Sequence, residues 1–179
     1  MSRTRVWLRT GPADEAHRML LQLAGELAGG RPRLVHACPR CGSDAHGRPV
    51  LLGTERPARV SLARDRDQEI AVVAVSLTAA VGVDVEATGA ADFPGFAQVA
   101  LHPSEQADEV AERTRLWVRK EAALKARGTG LALDPRSLAV QQELGWLVDV
   151  DLGPGWSCAV AVGEGLSGTG PGAPEVVLG

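Results

Sequence analysis

Residues 70–86 read IAVVAVSLTAAVGVDVE and hold two strong strand patterns. The first, residues 70–75, is apolar at every position, which is typical of a strand buried on both faces. The second, residues 81–86, alternates valine with glycine or an acid, so Asp84 and Glu86 point to one face and the valines to the other. We therefore expect two successive strands here, the second ending in a pair of carboxylates.

Farther along the chain, residues 115–127 read RLWVRKEAALKAR. Trp117, Glu121 and Lys125 recur every four residues, so they share one face of a helix, with Lys120 beside them. Glu121 and Lys125 also have the spacing of an ordinary intrahelical ion pair, which would contribute only about 0.3–0.5 kcal/mol. The large Trp117 on the same stripe instead favours partial burial of this face.

The rest of the chain predicts a mixture of strands and helices. A first helix is expected from a cap at Asp14 to Gly29, and the second from a cap at Ser104 to Gly128. Apart from one short strand, residues 31–57 and 87–100 are predicted to be loops. Further strands are predicted at residues 5–9 (a sheet edge), 49–52, 58–62, 137–140, 145–150 and 156–162.

Composition limits the classes of protein that fit. The chain has 179 residues, 45% of them apolar, which is enough for a sizeable core. A net charge of −3 and only 3% aromatic residues argue against a nucleic-acid-binding surface. No apolar run reaches the roughly 18 residues of a membrane span, and no signal peptide pattern follows the basic N-terminus. We expect a cytoplasmic monomer that does not bind membranes.

The acid pair predicts a cation site. Two carboxylates one strand step apart repel each other unless a cation lies between them. Mg²⁺ is the cation that combines carboxylate ligands with phosphate. Glu121 would add a third carboxylate, and Lys120 and Lys125 would face a phosphate. The alternative is that Asp84 and Glu86 belong to a solvated strand face, which is the usual outcome for so short a motif taken alone.

Together the two segments resemble a known family. GVDVE at residues 82–86, followed by W-x-x-K-E-x-x-x-K-x-x-G-x-G at residues 117–130, is similar to the signature of 4′-phosphopantetheinyl transferases. The resemblance is to the monomeric, Sfp-like type that serves polyketide and peptide synthases. It extends more weakly to residues 41–50 and 102–105.

This resemblance implies a fold and a reaction. The fold would be α+β, with two related α/β halves about a pseudo-twofold axis and the active site in the cleft between them. Residues 1–80 would form the half that binds coenzyme A and residues 81–163 the half with the metal site, followed by a flexible tail at 164–179. The enzyme would transfer 4′-phosphopantetheine from coenzyme A to a serine of an apo acyl or peptidyl carrier protein, with Mg²⁺, and release 3′,5′-ADP.

The resemblance also implies roles for individual residues. Asp84, Glu86 and Glu121 would ligate Mg²⁺, and Glu121 would take the proton of the carrier serine. Lys125 would hold the reacting phosphates and complete the catalytic set with Glu121 and Asp84. Coenzyme A would be bound by four basic residues, namely Arg48, Arg64, Lys120 and Lys125.

The chain departs from the family pattern at Arg64, where a histidine is usual. Arginine still binds phosphate and never loses its proton; the alternative places Arg64 in a solvated hairpin. This departure and the short N-terminal half leave open a second function, a degenerate homologue that binds coenzyme A or a carrier protein but transfers little. A metal-dependent phosphohydrolase is a third hypothesis, but that function does not explain the tryptophan-bearing helix.

Two further features have less specific patterns. Cys38 and Cys41, flanked by His36 and His46, have the C-x-x-C spacing of zinc ligands, but the histidine spacing is irregular, so we expect free thiols rather than structural zinc. Carrier docking is assigned to two apolar residues of the 87–100 loop and to arginines of the signature helix; a solvated helix face is the alternative for the arginines. These candidates are Phe93, Phe96, Arg113, Arg115 and Arg119.

Overall fold

A computed structural model describes residues 4–38, 41–44, 47–65, 67, 69–141, 145–165 and 174–179. Within these residues the helices are α1 Ala16–Ala28, α2 Phe96–Ala100 and α3 Val110–Arg127, and single 3₁₀ turns lie at Ala13–Glu15, Gly130–Ala132 and Pro135–Ser137. The strands are β1 Thr4–Pro12, β2 Arg33–Ala37, β3 Arg48–Leu52, β4 Arg59–Arg64, β5 Ile70–Ser76, β6 Ala79–Ala87, β7 Leu147–Asp149, β8 Trp156–Gly165 and β9 Pro174–Leu178.

The first sheet is built around β5. Its strand order is β4-β5-β1-β9, with β5 antiparallel to both β4 and β1. Val72 packs into a core beneath one face, and Val73 and Val75 pack on the other face against α1. The prediction that this strand is buried on both faces is therefore confirmed, and its near-continuous apolar sequence is explained.

The second sheet, ordered β6-β8-β7, is antiparallel and carries α3 on one face. The approach of α3 is so close that a Cβ at Gly82 would overlap the Ala122 carbonyl oxygen. On the opposite face of β6, Val81, Val83 and Val85 pack into the core shared with the first sheet. The alternation predicted for residues 81–86 is confirmed, and the glycine of the motif is explained by the crossing of two backbones.

The two sheets meet along β4 and β6. The backbone N–H of Val83 donates to Ser61 Oγ at 3.1 Å, which joins the two strands directly. One apolar cluster draws on β1, β5, β6 and β8. The arrangement is a mixed α and β architecture with helices on the outer faces of the sheets.

The helix boundaries correct two predicted caps. The α1 N-cap is Glu15, without a side-chain cap bond, because a 3₁₀ turn containing Asp14 leads into the helix. The α3 N-cap is Glu109, in a capping box with Glu112, and Ser104 instead bonds His102 in a separate turn. The predicted helix ends are confirmed, because Gly29 and Gly128 follow the two helices with positive φ.

Several strand and loop predictions were also wrong. The predicted edge strand β1 is internal, because β9 pairs with it in parallel. Residues 174–178 are thus strand rather than part of a flexible tail, and 166–173 lie outside the described residues. The 31–57 loop contains β2 as well as the predicted β3, and the 87–100 loop contains α2. No strand forms at residues 137–140: a 3₁₀ turn at Pro135–Ser137 is followed by residues 138–140 without regular secondary structure.

Candidate functional site

Asp84 and Lys125 form the centre of the site. Lys125 Nζ lies 2.6 Å from Asp84 Oδ1 and donates to the Val83 carbonyl oxygen at 3.2 Å. Asp84 is 5% exposed, and its second oxygen, Oδ2, has no hydrogen-bond partner. The close contact of β6 with α3 puts these two side chains together, because Gly82 lies one strand step before the acid on the same face.

The acids of the site act on each other electrostatically. Burial raises the pKa of Asp84 to about 6; Lys125 opposes this rise and Glu121 adds to it. Burial also raises the pKa of Glu121, opposed by Lys125 and reinforced by Glu86. The structure therefore brings all three predicted acids within electrostatic range of one another around Lys125.

The same residues can be tested as ligands of a divalent cation. In the described part of the chain, no three Asp, Glu, His or Cys side chains converge as a ready-made ligand cluster. The chemistry nevertheless fits a hard cation, because the donors are carboxylate oxygens and Asp84 Oδ2 is buried and unsatisfied. Lys125 supplies the compensating positive charge in this arrangement.

Glu86 lies at the edge of the cluster. It borders an acid-lined depression of about 310 Å³ together with Asp65, Asp67 and Asp92. Asp65 has a structural role there, since its carboxylate accepts the backbone N–H groups of Glu69 and Ile70 in the β4–β5 turn.

Lys125 also borders a larger cleft of about 510 Å³. The cleft lies between the β2–β4 region and the end of α3, and among the described residues that line it are basic side chains but no acids. Its basic lining residues are His17, His36, Arg48, Arg64 and Lys125. In a chain of net charge −3, this concentration of positive charge favours an anionic ligand.

Arg48 is the cleft residue with a buried N–H group that such a ligand could satisfy. Its Nη2 is buried without a partner, and burial, then the charge of Arg59, lowers its pKa. Arg64 Nε donates to the Ala13 carbonyl oxygen at 2.8 Å, which fixes this side chain in the wall of the cleft. Arg48 and Arg64 therefore line the same cleft, and Arg64 is half-buried in its wall rather than on a solvated hairpin.

His17 and His36 join this cleft although the sequence does not indicate it. His17 lies on the first turn of α1 and His36 on β2, which the sequence predicts as loop. Burial, followed by the charges of Arg64 and His36, lowers the pKa of His17. Only the tertiary fold brings the two histidines together. His46, considered with Cys38 and Cys41 for zinc, lies outside the described residues.

Lys120 is not in the site. Its side chain is fully buried on another face of α3, where Nζ pairs with Glu105 Oε2 at 2.7 Å. It also donates to the Pro135 carbonyl oxygen at 3.0 Å and to that of Leu138. The prediction that Lys120 binds coenzyme A or phosphate was wrong, because protein atoms surround the ammonium completely.

The residues predicted to dock a carrier protein are also engaged within the protein. Phe96 is buried and contacts Phe93 edge-on, and Trp117 packs on the same small cluster. Arg115 and Arg119 both bind Asp149, and Arg113 donates to the carbonyl oxygens of residues 107 and 108. The expectation that both phenylalanines are exposed was wrong for Phe96, which is buried. The Arg115 side chain is 61% exposed, so docking of a carrier protein through this helix stays a prediction.

A comparison with known protein families gives a match over the segment that carries the centre of the site. The profile of the 4′-phosphopantetheinyl transferase superfamily matches residues 80–160, somewhat less than half of the chain. The matched segment contains Asp84, Glu86, Glu121 and Lys125. A search of curated proteins finds no match to the chain. The superfamily domain is thus detected over residues 80–160, which agrees with the resemblance at that level and supports a transferase of this general kind.

No helix in the described residues is both long and apolar enough to cross a membrane.

Proposed function

We propose that the protein transfers 4′-phosphopantetheine from coenzyme A to a serine of an apo acyl or peptidyl carrier protein, as a monomeric, Sfp-like transferase. One observation carries the proposal: Lys125 belongs both to the acid cluster and to the basic cleft. An anion held in the cleft therefore ends beside the carboxylates. The match to the transferase superfamily over this segment supports the same reaction.

The cleft would hold the phosphorylated nucleotide of coenzyme A. Arg48 offers an unsatisfied N–H group, and Arg64 adds a permanent charge. Removing these cations from water is costly unless an anion joins them, so a phosphate of the ligand would relieve that cost. The pyrophosphate would then reach Lys125 at the end of α3.

Three carboxylates would hold a Mg²⁺ ion next to that pyrophosphate, namely Asp84, Glu86 and Glu121. When bound, Mg²⁺ supplies positive charge that neutralises the pyrophosphate and its transition state. If a cation neutralised Asp84, Lys125 would no longer pair with it, and the Lys125 ammonium would be available to the reacting phosphate.

Glu121 would act as the general base. Its carboxylate lies one helical turn before Lys125 on the same face of α3, so it would border the phosphate that Lys125 holds. It would take the proton of the carrier serine as the hydroxyl oxygen attacks the β-phosphorus. The new bond joins the serine oxygen to phosphorus, the bond to the α,β-bridging oxygen breaks, and 3′,5′-ADP leaves.

The test is intact-mass analysis of apo carrier proteins after incubation with the protein, coenzyme A and Mg²⁺. We expect the carrier mass to rise by one phosphopantetheine group, and the Lys125→Ala variant to be inactive. Arg127→Ala is the matched control, because Arg127 is a basic residue of the same helix that packs over Trp146 instead of lining the basic cleft. Coenzyme A binding without transfer to any of several carriers would indicate the degenerate homologue instead. Phosphate release without a carrier would indicate a phosphohydrolase.

A further inference from the structure

Glu105 and Lys120 form a buried ion pair for which the proposed chemistry has no use. The Lys120 side chain is 0% exposed and that of Glu105 1% exposed, and the two charges lie 2.7 Å apart. Buried ion pairs contribute little net stability, because the loss of hydration offsets their attraction. Because the pair adds little net stability, its presence in the core indicates another role.

The pair binds backbone groups on both sides of α3. Glu105 Oε1 accepts the N–H groups of Val140 and Gln141 at 2.5 and 3.1 Å, and Oε2 accepts that of His102 at 3.0 Å. Lys120 Nζ donates to two carbonyl oxygens of the chain after α3, those of Pro135 and Leu138. Four of these five contacts reach residues 135–141.

Residues 129–141, which we name the post-helix segment, have little regular structure of their own. They contain two single 3₁₀ turns and no strand. Their first residues form part of the wall of the basic cleft through Thr129, Gly130 and Ala132. Because short turns impose little rigidity, contacts with the neighbouring chain determine where this wall lies. Arg119, which donates to the carbonyl oxygens of residues 140 and 141, is the other side chain of α3 that binds the far end of the segment in the described structure.

We propose that Glu105 and Lys120 are positioning residues that hold the post-helix segment against α3 and thereby set the width of the coenzyme A cleft. The pair touches neither the cleft nor the acid cluster and acts through the backbone. The inference rests on the proposed function, because coenzyme A is the ligand whose affinity reports the position of the wall.

The test uses three variants of the full chain. Lys120→Met removes both the charge and the bonds to residues 135 and 138. Glu105→Gln combined with Lys120→Met is electrically neutral, so it avoids an unpaired buried charge and remains testable where the single variant fails to fold. Leu8→Ala, in the core beneath the first sheet and away from the cleft, is the control for loss of stability alone.

The readouts are coenzyme A affinity by calorimetry, at a temperature where all variants are folded, and amide hydrogen exchange at Val140 and Gln141. In both Lys120 variants we expect faster exchange at these amides and a dissociation constant raised about tenfold, which corresponds to 1.4 kcal/mol. Leu8→Ala is expected to leave the dissociation constant within about twofold of wild type, because it does not touch the wall.

An unchanged dissociation constant in the folded double variant overturns the inference, whether or not exchange is faster. An equal loss of affinity in Leu8→Ala also overturns it, because the effect then follows stability alone. Absence of coenzyme A binding by the wild-type protein overturns the proposed function instead, and hydrogen exchange still shows whether the pair holds the segment.

Discussion

Replacing Asp84 by asparagine should stabilise the protein in the absence of metal. The folded state raises the pKa of this carboxyl from 3.8 to about 6, mainly because it is buried. Its ionised form therefore costs the fold about 3 kcal/mol at pH values well above 6, since each pKa unit corresponds to about 1.4 kcal/mol. Asparagine has nearly the same shape and carries no charge, so Asp84→Asn should gain most of this free energy at pH 8.

The sign of the pH dependence is specific. Because the pKa of Asp84 is raised in the folded state, its destabilising effect is complete above pH 6 and decreases as the pH falls. Below pH 3.8 the carboxyl is protonated in both states and the effect vanishes. The gain from Asp84→Asn should therefore shrink steadily between pH 7 and pH 4, while other groups cancel in the comparison of the two proteins.

Urea unfolding of both proteins in EDTA, at a series of pH values, measures this difference. Asp92→Asn, at an exposed carboxylate bordering the nearby depression, is the matched control and should change the free energy of unfolding by less than about 0.5 kcal/mol. A lower stability of Asp84→Asn at pH 8, or a gain independent of pH, would refute the assignment of Asp84 as a buried carboxylate whose desolvation outweighs its attraction to Lys125.

Three further predictions follow from the site. Mg²⁺ should raise the melting temperature at pH 8 but much less at pH 5, because Asp84 must ionise to bind it; Glu121→Gln should abolish the rise, and a rise equal at both pH values would contradict this. Gly82→Ala should cost about 2–3 kcal/mol in urea unfolding, because the new methyl overlaps the Ala122 carbonyl oxygen; a neutral effect would exclude so close a crossing. Arg48→Met should weaken coenzyme A binding about 10- to 100-fold in calorimetry without loss of stability, since a charged hydrogen bond contributes about 1.5–3 kcal/mol; unchanged affinity would remove Arg48 from the binding site.

The centre of the site was predictable because it depends on local periodicity. Alternation along β6 determines which face carries Asp84, and helical spacing determines which face of α3 carries Glu121 and Lys125. A single crossing of β6 and α3 then brings both faces together. Little long-range information is needed, because the glycine that allows the crossing is part of the same short motif.

Lys120 shows where local periodicity is insufficient. Its position beside Glu121 is correct, but its function depends on the course of the post-helix segment, which carries no strong pattern. The same limit applies to His17 and His36, which lie far apart in sequence and meet only in the folded protein. Strands such as β2 and β9 gain their stability from pairing with a partner strand, so their own residues do not identify them.

Ser104 and Glu109 illustrate a different ambiguity. Both are plausible caps for α3, and serine is the more common choice. The helix starts at Glu109 because Glu112 completes a reciprocal capping box there. Glu105, assigned by the sequence to the first turn of the helix, instead binds the backbone N–H groups of Val140 and Gln141.

The pairing of β1 with β9 also has a consequence for synthesis of the protein on the ribosome. These neighbouring strands stand near opposite ends of the described chain, so β1 is made long before its parallel partner exists. Until then β1 has one unpaired edge, which is a template for pairing with other chains. A nascent chain, or one that lacks residues 174–178, should thus be more prone to aggregate than a chain in which β9 has paired with β1.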